Sequence, residues 1–421
     1  MARLASVPAF FLLRIASGLL LLKLSTSFLP IAGFADFSQL MLFAALLNLA
    51  AVGGAQNGVI RQAAAASDAH ALGRVHGASL LIWGVVAPVL AVAIVIGSGR
   101  ISHILTGTSG QWWAVIAIAL TALLAGPGQI WCSILSGRKR AVRSLAAQAA
   151  GLLAGTGTAA WLIVRGAPAA AAIGFAGGSL VTMAAAGLLA ARLDMRRVPL
   201  AAARAEAPAL VTYSIAFAAT TSFSAILLFG LRAHYRAQFG TSALGYWLVA
   251  NRISDTSTQL IGLFLIQFFV PHFAMLRSEA ERRALVLRCW AAAIVVMGAA
   301  PLVFSLLARP LVHLFLSDAY LGAIPAIRTY MIGDVLRIWA SLAMFAAFAR
   351  GRPGRYAGIE IATLSLMAAI TLALIAADAP LAPEIGYCAA YAVTAAIVTI
   401  GFFRRGRPVA MLPAKLAAET R

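Results

Sequence analysis

Arg14, Lys23, Arg252, Asp255, Arg328, Asp334, Arg337 and Glu360 stand inside long apolar stretches, and chemistry has to be built from them. A charge at the centre of a bilayer costs at least about 2.5–3.5 kcal/mol on insertion scales, so each needs a wet cavity or a partner. Arg14 and Lys23 have a third outlet, because a long basic side chain near a helix end can snorkel to the interface. Spacing offers partners to others. Asp255 follows Arg252 by three residues and Arg337 follows Asp334 by three, which puts each pair on one helical face. Such pairs can be purely structural, and Glu360 lies close enough to a helix end to meet water. The balance of residue types says more. All but one of the basic members are arginine, whose guanidinium stays charged and grips phosphate through a planar fork. Arg14, Lys23, Arg252, Arg328 and Arg337 thus put a net positive field inside the apolar region, which suits an anionic ligand. Asp255, Asp334 and Glu360 can serve as protonatable, ion-coupling groups or as structural partners. Gln39, Asn48, Gln56 and Asn57 follow one stretch, with Gln148 and Gln267 elsewhere. Such amides glue neighbouring helices or hydrogen-bond a hydroxyl-rich ligand.

The elements that position these groups follow from composition. Of 421 residues, 62% are hydrophobic and 11% charged, with a mean hydropathy of +0.92. A soluble domain carries about 25% charged residues, so this chain is an all-α integral membrane protein. The apolar runs are continuous and not alternating, which excludes a transmembrane barrel. They cover 8–29, 37–60, 77–99, 112–135, 144–164, 168–191, 209–231, 243–271, 285–308, 322–348, 356–376 and 384–403. Each suits a spanning helix of roughly 20 residues, and the short connections leave no room for an ATPase, a kinase or a soluble binding domain.

Lysine and arginine gather in the C-terminal tail and in the even-numbered connections, for example Arg138, Lys139, Arg140 and Arg143, with Arg3 in the N-terminal tail. The odd-numbered connections hold only Arg100, Arg165, Arg232, Arg236 and Arg309. This alternation predicts about twelve transmembrane helices with both termini cytoplasmic. It also accounts for the net charge of +20 without nucleic acid. The basic connection from Arg192 to Arg204 divides the chain into an N-terminal six-helix bundle over 1–200 and a C-terminal one over 201–408, with a cytoplasmic tail over 409–421. Two such bundles around a central cavity are a common carrier plan.

Gly53-Gly54 and Gly177-Gly178 read as close helix contacts or as hinges. The tryptophans read mostly as interface anchors. Cys132, Cys289 and Cys388 are expected to be small buried hydrophobes. No Gly-x-x-x-x-Gly-Lys-Ser/Thr or His-Glu-x-x-His motif occurs and the histidines are scattered, so no cofactor, metal or enzymatic activity is expected.

The residues also resemble a known family. Phe37-Ser38-Gln39-Leu40, Asn57-Gly58-Val59, Gly245-Tyr246-Trp247 and Ile253-Ser254-Asp255 fall in order, followed by Pro271, Ser317 and Gly333-Asp334-Val335-Leu336-Arg337. With Lys23 in the first helix, these segments over about residues 10–405 are similar to the Wzx-type O-antigen and enterobacterial common antigen flippases. That family belongs to the multidrug/oligosaccharidyl-lipid/polysaccharide exporter superfamily. The turn Leu29-Pro30-Ile31-Ala32-Gly33 departs from the family pattern by being short, and the tail from Pro408 has no counterpart in it.

The resemblance implies a carrier for an undecaprenyl-diphosphate-linked oligosaccharide in the bacterial inner membrane. A polysaccharide polymerase and a chain-length regulator would be its partners. The substrate would meet Lys23, Arg14, Arg252, Arg328 and Arg337, with Asn57 and Gln39. The competing expectations are an ion-coupled drug or metabolite antiporter, which would want more buried acids, and a membrane glycan transferase or polymerase.

Overall fold

The computed structural model describes residues 2–52, 55–196, 198–264, 278–349 and 353–404, with Phe269, Phe273 and Leu276 between them; at 2–8, 57, 209, 212–222, 257, 259–264, 296–297, 300, 347–349, 353–356 and 403–404 it describes the backbone alone. Gly53-Gly54, Gln267, Pro271, the tail 409–421 and the Asn57 side chain therefore lie outside the description.

The described chain is all helix and turn. The helices are α1 (Ala2–Phe28), α2 (Ile31–Ala50), α3 (Gln56–Ala65), α4 (Ala69–Thr106), α5 (Trp112–Leu124), α6 (Gly126–Gly137), α7 (Ala141–Val164) and α8 (Pro168–Ala190). A second set comprises α9 (Leu200–Phe264), α10 (Glu279–Phe315), α11 (Ile324–Ala349), α12 (Pro353–Ala376) and α13 (Ala382–Arg404).

Local chemistry sets the breaks. Pro30, with φ −62° and no amide hydrogen to give, stands before α2. The Asp68 carboxylate accepts the Ala71 amide at 2.7 Å and caps α4. That bond holds its carboxyl below the usual carboxylate range. Gly107, at φ 77°, ends α4 in the left-handed conformation. Gly240, at φ 84° and ψ 171°, bends α9 into arms over 200–239 and 241–264. Only glycine occupies that region without strain.

Three sequence boundaries are corrected. The 37–60 stretch ends at Ala50, so Gln56 and Asn57 belong to the separate α3 and do not continue the line from Gln39. The 112–135 stretch is two helices that meet at Ala125, with Pro127 in the first turn of α6. The 77–99 stretch is the middle of a 38-residue helix.

Among the described residues, eight helical stretches are long and apolar enough to cross a membrane. The two arms of α9, with α10 and α11, are also long but carry charge, and they complete two six-helix bundles. The hydrophobic core divides accordingly. One cluster runs from Leu21 and Leu40 through Val115 and Ile130 to Ala176. The other joins Leu231, Trp247, Tyr320, Tyr330 and Tyr391, and takes Leu22 and Phe34 from the first half.

Small residues set the tightest helix pair. A Cβ on Gly178 would lie 2.3 Å from the Gly151 carbonyl oxygen, whereas one on Gly177 would meet nothing within 4 Å. Gly178 is thus the packing member of that glycine pair.

Contacts between connections fix the two ends of the molecule. At the basic end, Arg140 reaches the Arg192 carbonyl at 3.4 Å, Arg138 reaches the Ala66 carbonyl at 2.8 Å, and the Arg196 amide reaches Ala69. At the opposite end, Gln111 meets Asp36, Gln238 meets Asp378, and the Tyr235 hydroxyl meets the Pro380 carbonyl. Among the described residues, connections 2, 4 and 6 thus meet at one end, while 1 meets 3 and 7 meets 11 at the other.

Candidate substrate cavity

A cavity of about 500 Å³ lies between the halves. Leu42, Ala45, Leu46 and Leu49 of α2 give it an apolar wall from the first half. The facing wall is polar and aromatic and comes from both arms of α9 and from α11, α12 and α13. Its charged members are Arg232, Asp255, Arg337 and Glu360.

Arg232 is 4% exposed. Its Nη2 donates to Asn251 Oδ1 at 2.8 Å and its Nη1 to Gln39 Oε1 at 3.3 Å, while the guanidinium lies 5.7 Å from the Trp247 ring centre. Trp247 is itself fixed, because its Nε1 donates to the Tyr330 hydroxyl at 2.6 Å. Far from anchoring an interface, Trp247 is 2% exposed and stands in the cavity wall.

Arg337 pairs across helices. Its Nη1 lies 3.7 Å from Asp255 Oδ1 and donates to the Tyr387 hydroxyl at 3.4 Å. The guanidinium also sits 5.7 Å from the Tyr391 ring centre. The ion pair therefore ties α11 to the second arm of α9, a cross-helix contact that the same-helix spacing does not indicate. Asp334 is 1% exposed and accepts from Ser254 Oγ at 2.5 Å and from the Tyr387 hydroxyl at 2.8 Å. Tyr387 thus links Arg337 to Asp334 through one oxygen, and Asp334 stands behind the cavity wall and not on it.

Arg14 and Arg252 line an adjoining pocket of about 80 Å³ with Gly18, Asp255 and Thr256. Asp255 also lines the large cavity and a third pocket of about 40 Å³, so it is shared by all three spaces. Gly18 stands against the guanidinium, where a Cβ would lie in ordinary contact, 3.8 Å from Arg252 Nη2.

The remaining candidates lie elsewhere. Lys23 Nζ donates to the carbonyls of His313 at 3.1 Å and Leu316 at 2.5 Å, away from the cavity. Arg328 is exposed and donates to the Ser305 carbonyl at 2.9 Å. Gln39 is fully buried and works through Arg232. The structure brings together Arg14, Arg252, Asp255, Arg337 and Glu360, and leaves out Lys23 and Arg328.

Sequence reading misses Arg232 and Arg236 by placing them in the seventh connection. Both lie on the first arm of α9 and are buried. Their signal is there to be read: Arg232, Tyr235, Arg236 and Phe239 have the i, i+3, i+4, i+7 spacing of a continuing helix.

No protein-family model matches the chain, and no curated protein matches it. Solved structures do. The fold is similar to an inward-facing multidrug resistance MATE family transporter of the MOP superfamily, with a TM-score of 0.71 at 16% identity over 94% of each chain. It is similar to the lipid II flippase MurJ in an inward closed conformation, with a TM-score of 0.73 at 10% identity over 94% of this chain and 86% of that one. An outward-facing MATE transporter superposes with a TM-score of 0.53 at 14% identity, over 94% of this chain and 95% of that one. The chain has the fold of the MOP-superfamily transporters and is a multi-pass membrane protein.

Proposed function

We propose that the chain is a flippase that moves an undecaprenyl-diphosphate-linked oligosaccharide from the cytoplasmic to the periplasmic leaflet of a bacterial inner membrane. The product would serve assembly of a cell-surface polysaccharide. The observation that carries this reading is the convergence of Arg14, Arg232, Arg252 and Arg337 on connected pockets between the halves. Among the described residues only Asp255 and Glu360 bring carboxylates to those pockets. Four guanidinium groups against two carboxylates leave a positive balance among bilayer-crossing helices, and the guanidinium fork fits diphosphate oxygens.

The basic end faces the cytoplasm by the positive-inside rule. The halves, 1–200 and 201–408, rock about the cavity. The diphosphate and glycan ride in the cavity and the prenyl chain stays in lipid. No covalent bond changes, so the activity is transport and not an enzymatic reaction. Asp255, through its pair with Arg337, and Asp334 behind it are the groups through which an ion gradient would act.

A second reading has its own observation. Trp247, Tyr330, Tyr387 and Tyr391 share the cavity lining with the Asp255 and Glu360 carboxylates, a wall that also suits an organic cation. Binding separates the two. Purified protein should bind undecaprenyl diphosphate, bind undecaprenol far more weakly, and lose at least about tenfold in affinity for the diphosphate in Arg337→Ala. Failure to bind the diphosphate, with tight binding of a cationic dye that Asp255→Asn and Glu360→Gln abolish, would replace the flippase by a cation exporter.

A further inference from the structure

The end opposite the basic one is fastened by two contacts of the same construction. In the first, Lys23 near the end of α1 sends Nζ to the carbonyls of His313 and Leu316, at the end of α10. Ser317 Oγ returns the tie by donating to the Thr26 carbonyl at 2.6 Å. In the second, Arg236 near the end of the first arm of α9 donates Nη1 to the Leu105 carbonyl, and Nη2 to those of His103 and Ile104. All three bonds are 2.8 Å and lie at the end of α4. Gly107 follows there, and a Cβ on it would lie 3.2 Å from Arg236 Nε. The glycine therefore ends α4 and also leaves the guanidinium its space.

The two contacts are counterparts. Each places a cation from the last turns of one half's first spanning helix on the carbonyls that close the other half's third. Helix C-termini carry partial negative charge, and charge-assisted hydrogen bonds are the stronger kind. The first half clasps the second through Lys23, and the second clasps the first through Arg236. A two-fold relation between the halves, invisible in the residue letters, thus appears as a repeated side-chain device.

Position gives the device a role. The cavity's lining residues on α2 and α12, Leu42 to Leu49 and Glu360 to Met367, lie on the basic side of both clasps. Other ties between the halves gather at the same end. A Cβ on Gly245 would lie 2.4 Å from Ile31 Cγ2, and Phe34 meets the Tyr320 ring edge-on at 5.6 Å. At the basic end, the contact between α4 and the start of α9 follows directly on the connecting segment, with Arg74 and Glu206 3.8 Å apart and partly exposed.

We propose that Lys23 and Arg236 form a paired latch that keeps the periplasmic face shut, and that both clasps release together when the carrier turns outward. This inference rests on the carrier reading, but its first test, a distance measurement, needs no substrate. Spin labels are placed at Ser27 with Leu314 and, separately, at Thr108 with Ala237, all exposed positions, in a chain whose cysteines are replaced by serine. The parent should give short distances at both pairs. Lys23→Gln should raise the ratio of long to short distances roughly tenfold, both at its own pair and at Thr108–Ala237. Arg236→Gln should do the converse, and the double variant should give mostly long distances. Lys23→Arg should restore the parent pattern.

Short distances at both pairs in the double variant would overturn the latch, as would a change confined to the mutated clasp. Where a variant fails to fold, a disulfide between Thr108→Cys and Ala237→Cys in the otherwise parental chain is the second measurement. It should block transbilayer movement of an undecaprenyl-diphosphate glycan in proteoliposomes while leaving its binding intact, and unimpeded movement would equally overturn the proposal. Distances that open as expected without movement of that lipid would keep the latch and remove the substrate assignment.

Discussion

Asp334 shows how burial separates two acids that sequence treats alike. Its carboxylate takes hydrogen bonds from Ser254 and Tyr387 inside the wall, whereas Asp255 meets the cavity beside Arg337. Replacing Asp334 by alanine leaves two buried hydroxyls without that acceptor, at a cost of about 1–3 kcal/mol. Thermal unfolding in detergent should therefore show a clear drop for Asp334→Ala and a smaller one for Asp334→Asn, which keeps an acceptor oxygen. Equal stability of Asp334→Ala and the parent would contradict this placement. Intramembrane charge made Arg14, Arg252, Asp255, Arg337 and Glu360 legible as site candidates. Their pairing was not legible, because the nearest partner of Arg337 is on another helix. Arg232 escaped for a different reason: where an apolar run ends, a basic residue reads as loop, and only the continuing helical period argues otherwise.

At the scale of elements, proline and glycine carried much of the meaning, but one glycine had to be seen. Gly240 adopts a conformation that costs other residues about 1–3 kcal/mol. It turns the chain between the arm that holds Arg232 and the arm that holds Asp255. Gly240→Ala should lower the melting temperature and weaken transport together, because the two arms share the cavity wall. A variant with parental melting would show that the bend is not required. The start of α4 gives a second check. The Asp68 pKa is depressed in the fold, so its capping contribution is present above the unfolded carboxylate pKa and is lost as pH falls through the folded value. The protection of the Ala71 amide, taken relative to its intrinsic exchange rate at each pH, should fall in Asp68→Ala at neutral pH, and the parent should lose that protection only in acid. The twelve apolar stretches were readable because spanning helices need long apolar runs. The breaks at 51–55 and at Ala125 were not, since helices that stop and restart inside a bundle keep the same composition.

For the whole molecule, charge alternation in the sequence and the grouping of connections in the fold agree. Arg138, Arg140, Arg192 and Arg196 gather at one end, while the connections near Asp36, Gln111, Asp378 and Pro380 gather at the other. A cysteine placed at Lys139 should accordingly react only with reagents that reach the cytoplasm, and periplasmic labelling there would overturn the proposed orientation. The relation between the halves was closed to sequence reading, because it lives in where Lys23 and Arg236 reach and not in shared motifs. The central claim is that arginines of the inter-half pockets carry a diphosphate across the bilayer. Its most direct test is transbilayer movement of an undecaprenyl-diphosphate oligosaccharide in proteoliposomes, followed by the access of an external glycosidase to the glycan. The parent should expose the inner-leaflet pool, and Arg232→Ala with Arg337→Ala should slow that exposure by at least about 100-fold at equal protein content, as expected when two charge-assisted contacts to the phosphates are lost. Movement at the parental rate in the double variant would contradict the account.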